Sequence, residues 1–206
     1  MAILLSVGAS ACGSAAQPHP PIVQPGAPGE SSRVIARDKA VDVSRVGHTL
    51  ADVRFMQGMI GHHAQAVEMT ELLATRTASD AMRKLGQRIQ VSQTDEIKMM
   101  ERWLSTHGEE VPSAHAHHMM GVTLMPGMLT PEEMERLSAA NGAEFDRLFL
   151  AGMIKHHEGA LVMVKELFAT PGAGQESDIF AFASDVDADQ RMEIDRMSTM
   201  LKEFQK

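Results

Sequence analysis

The sequence predicts an all-α protein, an antiparallel four-helix bundle formed by two repeated helical hairpins. Three observations carry that prediction. The 206 residues are 44% hydrophobic but only 4% aromatic, with no Tyr, a balance that favours helix over sheet. An unusual string occurs twice, as DVRFMQGMIGHHAQAVEM at residues 52–69 and as DRLFLAGMIKHHEGALVM at 146–163. Apolar residues also recur at helical spacing through four long segments.

The repeat needs no gap. Asp52, Phe55, Gly58, Met59, Ile60, His62, His63, Ala66 and Met69 stand where Asp146, Phe149, Gly152, Met153, Ile154, His156, His157, Ala160 and Met163 stand in the second copy. A weaker match follows one helix later: Gln93, Glu96, Ile97 and Met100 answer to Gln190, Glu193, Ile194 and Met197. Self-similarity of this kind marks a duplicated supersecondary unit. In the first copy the stripe Asp52, Phe55, Met59, His62, His63, Ala66, Thr70 and Leu73 defines one helix. Thr77 with Asp80 is expected to cap the next, whose stripe holds Leu85, Ile89, Glu96, Met100 and Leu104 and which ends at His107-Gly108. In the second copy Thr130-Pro131-Glu132-Glu133 supplies an N-cap, a Pro at the first helical position and an acidic third position. Asn141-Gly142 breaks or bends that segment. The His-bearing helix runs to about Ala169, Pro171-Gly-Ala-Gly174 turns the chain, and a last helix follows.

Ahead of the repeats, an apolar run ends in small residues at Cys12 and reads as a lipoprotein signal in which Cys12 is lipidated. It departs from the usual pattern in having Ala9 at position −3 and no basic residue before the run. Residues 13 to about 46 are rich in Pro, Gly, Ala and Ser, show no period, and read as a flexible tether. The expected organisation is a signal segment (1–12), a tether (13–46) and a bundle (47–206). The bundle comprises repeat one (47–107), a Met/His-rich linking loop (108–129) and repeat two (130–206). The expected location is extracytoplasmic, in the periplasm or cell envelope. Lipidation of Cys12 leaves the folded body without a thiol, which suits an oxidising compartment.

The formal charge is −8, from 19 basic and 27 acidic residues, which argues against nucleic acid as a partner. Seventeen Met and ten His accompany a single Cys. Met is an adaptable core filler, but thioether and imidazole are also the ligands left to a copper site when Cys is avoided. Met59 shares a helix face with His62 and His63, as Met153 does with His156 and His157. One sulfur and two imidazoles per helix suit Cu(I), and the imidazoles also suit Cu(II). Met69 and Met163 lie near the edge of the stripe. The two His pairs either share one site in the core or form two. His115, His117, His118, Met119, Met120, Met125 and Met128 crowd fourteen residues of the linking loop and form a second candidate site. His19 and His48 are isolated and read as structural or solvated.

The doubled Met-Ile-x-His-His helices, Met125-Pro-Gly-Met128 followed by Thr130-Pro-Glu-Glu133, and Glu144-Phe-Asp-Arg-Leu-Phe149 resemble the bacterial family known as domain of unknown function 305. The resemblance covers about residues 48–206. It implies a ferritin-like helical bundle and, for some members, copper binding and tolerance outside the cytosol.

The expected function is therefore copper binding for sequestration, delivery or tolerance, without turnover. The expected partners are the metal ion, the membrane through a lipid anchor, a copper-handling protein and a second copy of the chain. The first rival is a ferritin-like di-metal oxidase using iron or manganese. That chemistry needs inward Glu-x-x-His pairs, and the chain contains none; Met-x-x-His takes that spacing in both repeats. Glu96 and Glu193 are the carboxylates available to such a site. No Gly-rich phosphate loop, Gly-x-Ser-x-Gly elbow or His-Glu-x-x-His motif is present. The second rival is a structural or partner-binding bundle.

Overall fold

The structure, a computed structural model, describes residues 21–26, 29–36, 47–113 and 124–203. Cys12, His19, His115, His117, His118, Met119 and Met120 lie outside the described residues.

Among the described residues, six helices follow a small hairpin: α1 (Leu50–Glu71), α2 (Leu73–Arg76), α3 (Asp80–Thr106), α4 (Pro131–Ala139), α5 (Gly142–Ala169) and α6 (Ser177–Glu203). Within each repeat the long helices pack together, α1 on α3 and α5 on α6, and the two His-bearing helices α1 and α5 pack on each other. No described helix is long and apolar enough to cross a membrane.

The boundaries follow local chemistry. Thr49 and Asp52 form a capping box at the start of α1. Asp52 Oδ1 also accepts the Gly174 amide at 2.7 Å, tying α1 to the α5–α6 turn. The α4 start is as expected, with a Thr130–Glu133 capping box and Pro131 at the first position. One expectation is corrected. The cap of α3 is Ser79, which accepts from the Met82 amide, while Thr77 accepts from the Ser79 amide. The chain needs the extra turn α2 before it can reverse. Of the two outcomes expected at Asn141-Gly142, a break or a bend, the structure has the break, because Ala140 and Asn141 are extended and Gly142 has φ +57°. Ahead of the bundle, β1 (Ile22–Gln24) pairs antiparallel with β2 (Arg33–Ile35). Both strands are β-branched, flanking a Pro/Gly-rich connection, a pattern of hairpin type.

Two apolar clusters fill the bundle. One joins Met56, Met59, Ile60, Leu104, Val164 and Val186 with their neighbours. The other joins Met69, Leu85, Ile89, Phe145, Phe149, Met153 and Met197 with theirs. Between them in sequence, on all four long helices, stand polar residues that are almost wholly buried: His62 and His63, Gln93, His156 and His157, Gln190 and Glu193. The bundle thus carries a polar layer between two apolar ends.

Candidate metal centre

The four histidines of that layer are fully buried, and each Nε2 lies against an oxygen. His63 donates from Nε2 to Glu96 at 2.6 Å, and His157 donates from Nε2 to Glu193 at 2.7 Å. The two repeats therefore build the same imidazole–carboxylate pair, each from a His on the first helix and a Glu on the second. His156 donates from Nε2 to the His62 carbonyl at 2.9 Å, and His62 donates from Nε2 to the Pro126 carbonyl at 3.0 Å. These bonds fix the Nε2–H tautomer in all four rings, leaving Nδ1 as the lone-pair nitrogen. Nδ1 of His63, His156 and His157 is buried with no hydrogen-bond partner.

The His62 and His156 rings meet across the α1–α5 seam with centroids 3.8 Å apart, while each lies 6.2 Å from its chain neighbour. Burial holds the His156 imidazole well below its ordinary range, and the nearby His62, His157 and His63 push it further down. The ring is neutral at neutral pH, as a metal ligand must be. Burial opposes ionisation of Glu96, yet the His63 hydrogen bond and charge, helped by Ser92, leave it below the usual glutamate value.

A donor nitrogen held by an oxygen on its far side is the usual outer arrangement of a metal-binding imidazole. Imidazole nitrogen suits copper, zinc, nickel and iron alike, and thioether sulfur, where it joins the set, favours copper. Among the described residues no three His, Cys, Asp or Glu side chains already converge as a metal cage.

The methionines divide. Met59 and Met153 are fully buried and belong to the two different apolar clusters. The Met125 sulfur lies 3.1 Å, and the Met163 methyl 3.5 Å, from where a Cβ on Gly58 would stand. Both line a cleft of about 450 Å³ beside α1. Met69 takes the matching place in the other repeat, its methyl 3.3 Å from a Cβ position on Gly152. Met128 is buried. The loop bearing Met125 and Met128 is pinned by Gln65, whose side chain donates to the Leu129 carbonyl at 2.9 Å and accepts the Leu129 amide at 2.7 Å.

Sequence reasoning saw Glu96 and Glu193 only as available carboxylates and gave Gln93 and Gln190 no role. Both glutamines are buried, each with an unpartnered Oε1, three residues before the Glu. The signal was present in the weak second-helix repeat. On the opposite side α3 and α6 frame an open cleft of about 860 Å³ lined by Asp95, Glu96, Asp185 and Asp189 among others. Burial raises the Asp189 carboxyl, and the Glu96, Glu193 and Asp185 charges add to the effect.

Residues 52–201 match the profile of the family described as domain of unknown function 305. The chain belongs to the DUF305 family. Its solved relatives in fold include a DUF305 protein of Streptomyces coelicolor (30% identity, TM-score 0.64, covering 75% of this chain and 93% of that one). A DUF305 fragment from Deinococcus radiodurans is similar at 29% identity and TM-score 0.65, covering 76% and 98%. CopM, solved with Cu(II) bound, is similar at 25% identity and TM-score 0.62, covering 74% and 97%. CopM has also been solved with Cu(I) and with Ag bound. No curated protein matches the chain.

Proposed function

We propose that this DUF305 protein binds copper outside the cytoplasm and acts by sequestration or delivery, not by turnover. The observation that carries this reading is the layer of four buried, Nε2-tied imidazoles in which the His62 and His156 rings meet, tilted by 40°, across the repeat interface. His62, His63, His156 and His157 would hold Cu(II), while Cu(I) would draw in addition on thioethers. Met125 and Met163, side by side at the mouth of a cleft, and Met69 are the better placed; Met59 and Met153 sit in the apolar clusters. His115, His117, His118, Met119, Met120 and Met128 would form the accessory set. The copper- and silver-bound forms of CopM support the metal choice. The S. coelicolor relative, a predicted secreted protein, supports export, and Cys12 would anchor the chain to the membrane.

Competition among Cu(I), Cu(II), Fe(II) and Mn(II) for metal-free protein tests the reading. Copper in both states should bind more tightly than iron or manganese. Joint His62→Gln and His156→Gln substitution should remove the core site while circular dichroism stays helical. Preference for iron, with oxygen consumption, would overturn the proposal in favour of a di-metal oxidase using Glu96 and Glu193. Unchanged copper stoichiometry in the double variant would move the site to the linking loop. For the anchor, Cys12→Ser should release the protein from the membrane fraction; retention there sinks that part.

A further inference from the structure

His48 and His107, far apart in sequence and given no role above, come together at one end of the bundle. Gly108, at φ +72°, ends α3 and turns the chain so that the Glu109 amide bonds back to the Leu104 carbonyl at 2.9 Å. That turn carries the Glu109 carboxylate to His48, which stands just before the Thr49 cap of α1, the antiparallel neighbour of α3. His48 Nε2 donates to Glu109 Oε1 at 3.1 Å. His107 Nδ1 donates to the Trp103 carbonyl at 2.8 Å.

Each ring is thus oriented by an oxygen, leaving Nδ1 of His48 and Nε2 of His107 as lone-pair nitrogens. The ring centroids lie 4.7 Å apart at 74°. The His48 side chain keeps a quarter of its surface exposed. The His107 ring stacks on Trp103 with centroids 4.3 Å apart and planes 30° apart, and the Trp103 indole N–H is held by Glu176 at 3.3 Å. Both rings pack against Trp103, His48 edge-on with centroids 5.2 Å apart, yet each stays half-buried rather than enclosed, with one ring nitrogen held by an oxygen. A carboxylate and a main-chain carbonyl behind two adjacent imidazoles are the kind of outer partners that metal-binding imidazoles use.

We propose that His48 and His107 form a second, solvent-facing site for an imidazole-preferring divalent transition metal, Cu(II) being the probe, with Glu109 orienting His48 and water completing the coordination. Two protein nitrogens suffice for such an open site. The site is independent of the core histidines.

Trp103 supplies the test, because the chain has one Trp and no Tyr. Its fluorescence reports a paramagnetic ion bound to the ring stacked upon it. Titration with Cu(II) should quench Trp103 in the full chain and equally in the His62→Gln, His156→Gln variant. Quenching should be lost in the His48→Gln, His107→Gln variant, with copper stoichiometry one lower and helicity unchanged by circular dichroism. Glu109→Ala, which leaves both ligands in place, should shift the quenching midpoint about tenfold to higher copper. A purely structural cluster would change stability and baseline emission but not the midpoint. Undiminished quenching in the His48→Gln, His107→Gln variant, or none in the full chain, overturns the proposal. Loss of quenching only in the core variant would likewise overturn it, by assigning the signal to the core site.

Discussion

His156 shows how one residue type acquires its chemistry from its surroundings. Its ring is buried among three other imidazoles and bonded only to a main-chain carbonyl, so its folded-state pKa falls below that of the unfolded chain. Between those two values the unfolded state binds the extra proton, and stability falls with falling pH. The metal-free protein should therefore hold its melting temperature above about pH 6.5 and lose it progressively below. Glu96 is also depressed; its contribution is present above the ordinary glutamate value and lost below it, so acidification continues the decline. Thermal unfolding of metal-free protein at several pH values measures this, and His156→Gln should flatten the first part of the curve. A melting temperature that rises on mild acidification contradicts the assignment. Asp52 and Asp146 make a complementary point. They hold the same position in the two repeats, yet Asp52 caps α1 and holds the Gly174 amide, whereas Asp146 buries an Oδ1 without a partner.

Among the elements, the end of the linking loop breaks the twofold likeness of the hairpins. It lies against α5 so closely that a methyl group on Gly159 would overlap the Pro126 carbonyl, and one on Gly127 would overlap the Lys155 carbonyl. Gly127 also has φ +76°, a conformation that favours glycine. The same Pro126 carbonyl accepts the His62 hydrogen bond, so the fit of a loop against a helix positions a candidate ligand. Gly159→Ala should destabilise the protein by about 1–3 kcal/mol, the usual cost of overpacking, and should weaken copper binding beyond that loss of stability. Denaturant unfolding and copper titration of the one variant separate the two effects; wild-type behaviour in both would show that the loop does not orient His62. Repeat two carries Leu129 over Gly152 where repeat one carries Met125 over Gly58, so only one of the equivalent surfaces presents a pair of sulfurs.

For the whole molecule, the two hairpins form the body and the hairpin β1–β2 precedes it. Val23 and Val34 of that hairpin are more than half exposed, and its short strands bury little. Removing residues 1–44 should leave the thermal midpoint nearly unchanged; a large loss of helicity would show that the N-terminal segment is part of the core. The bundle was legible because duplication and helical spacing are properties of the chain itself: DVRFMQGMIGHHAQAVEM and its second copy specify two equivalent amphipathic helices wherever they pack. Helix starts set by a local capping box, such as Thr130–Glu133, were legible for the same reason, while Ser79 displaced Thr77 because α2 moved the turn.

What the chain determined alone was therefore its helices, their pairing into hairpins and the inward face that bears His62, His63, His156 and His157, since each depends on residues a few positions apart. Only the tertiary structure decided that the His62 and His156 rings meet each other while His63 and His157 turn to Glu96 and Glu193. Adjacent residues on a helix point about 100° apart, so one histidine of each pair faces the repeat interface and the other the flanking helix. Which neighbour each meets is fixed by how α1 and α5 cross and by where the Gln65-pinned segment lies. The meeting of His48 with His107 was invisible for the same physical reason: a contact across 59 positions of sequence leaves no periodicity to read.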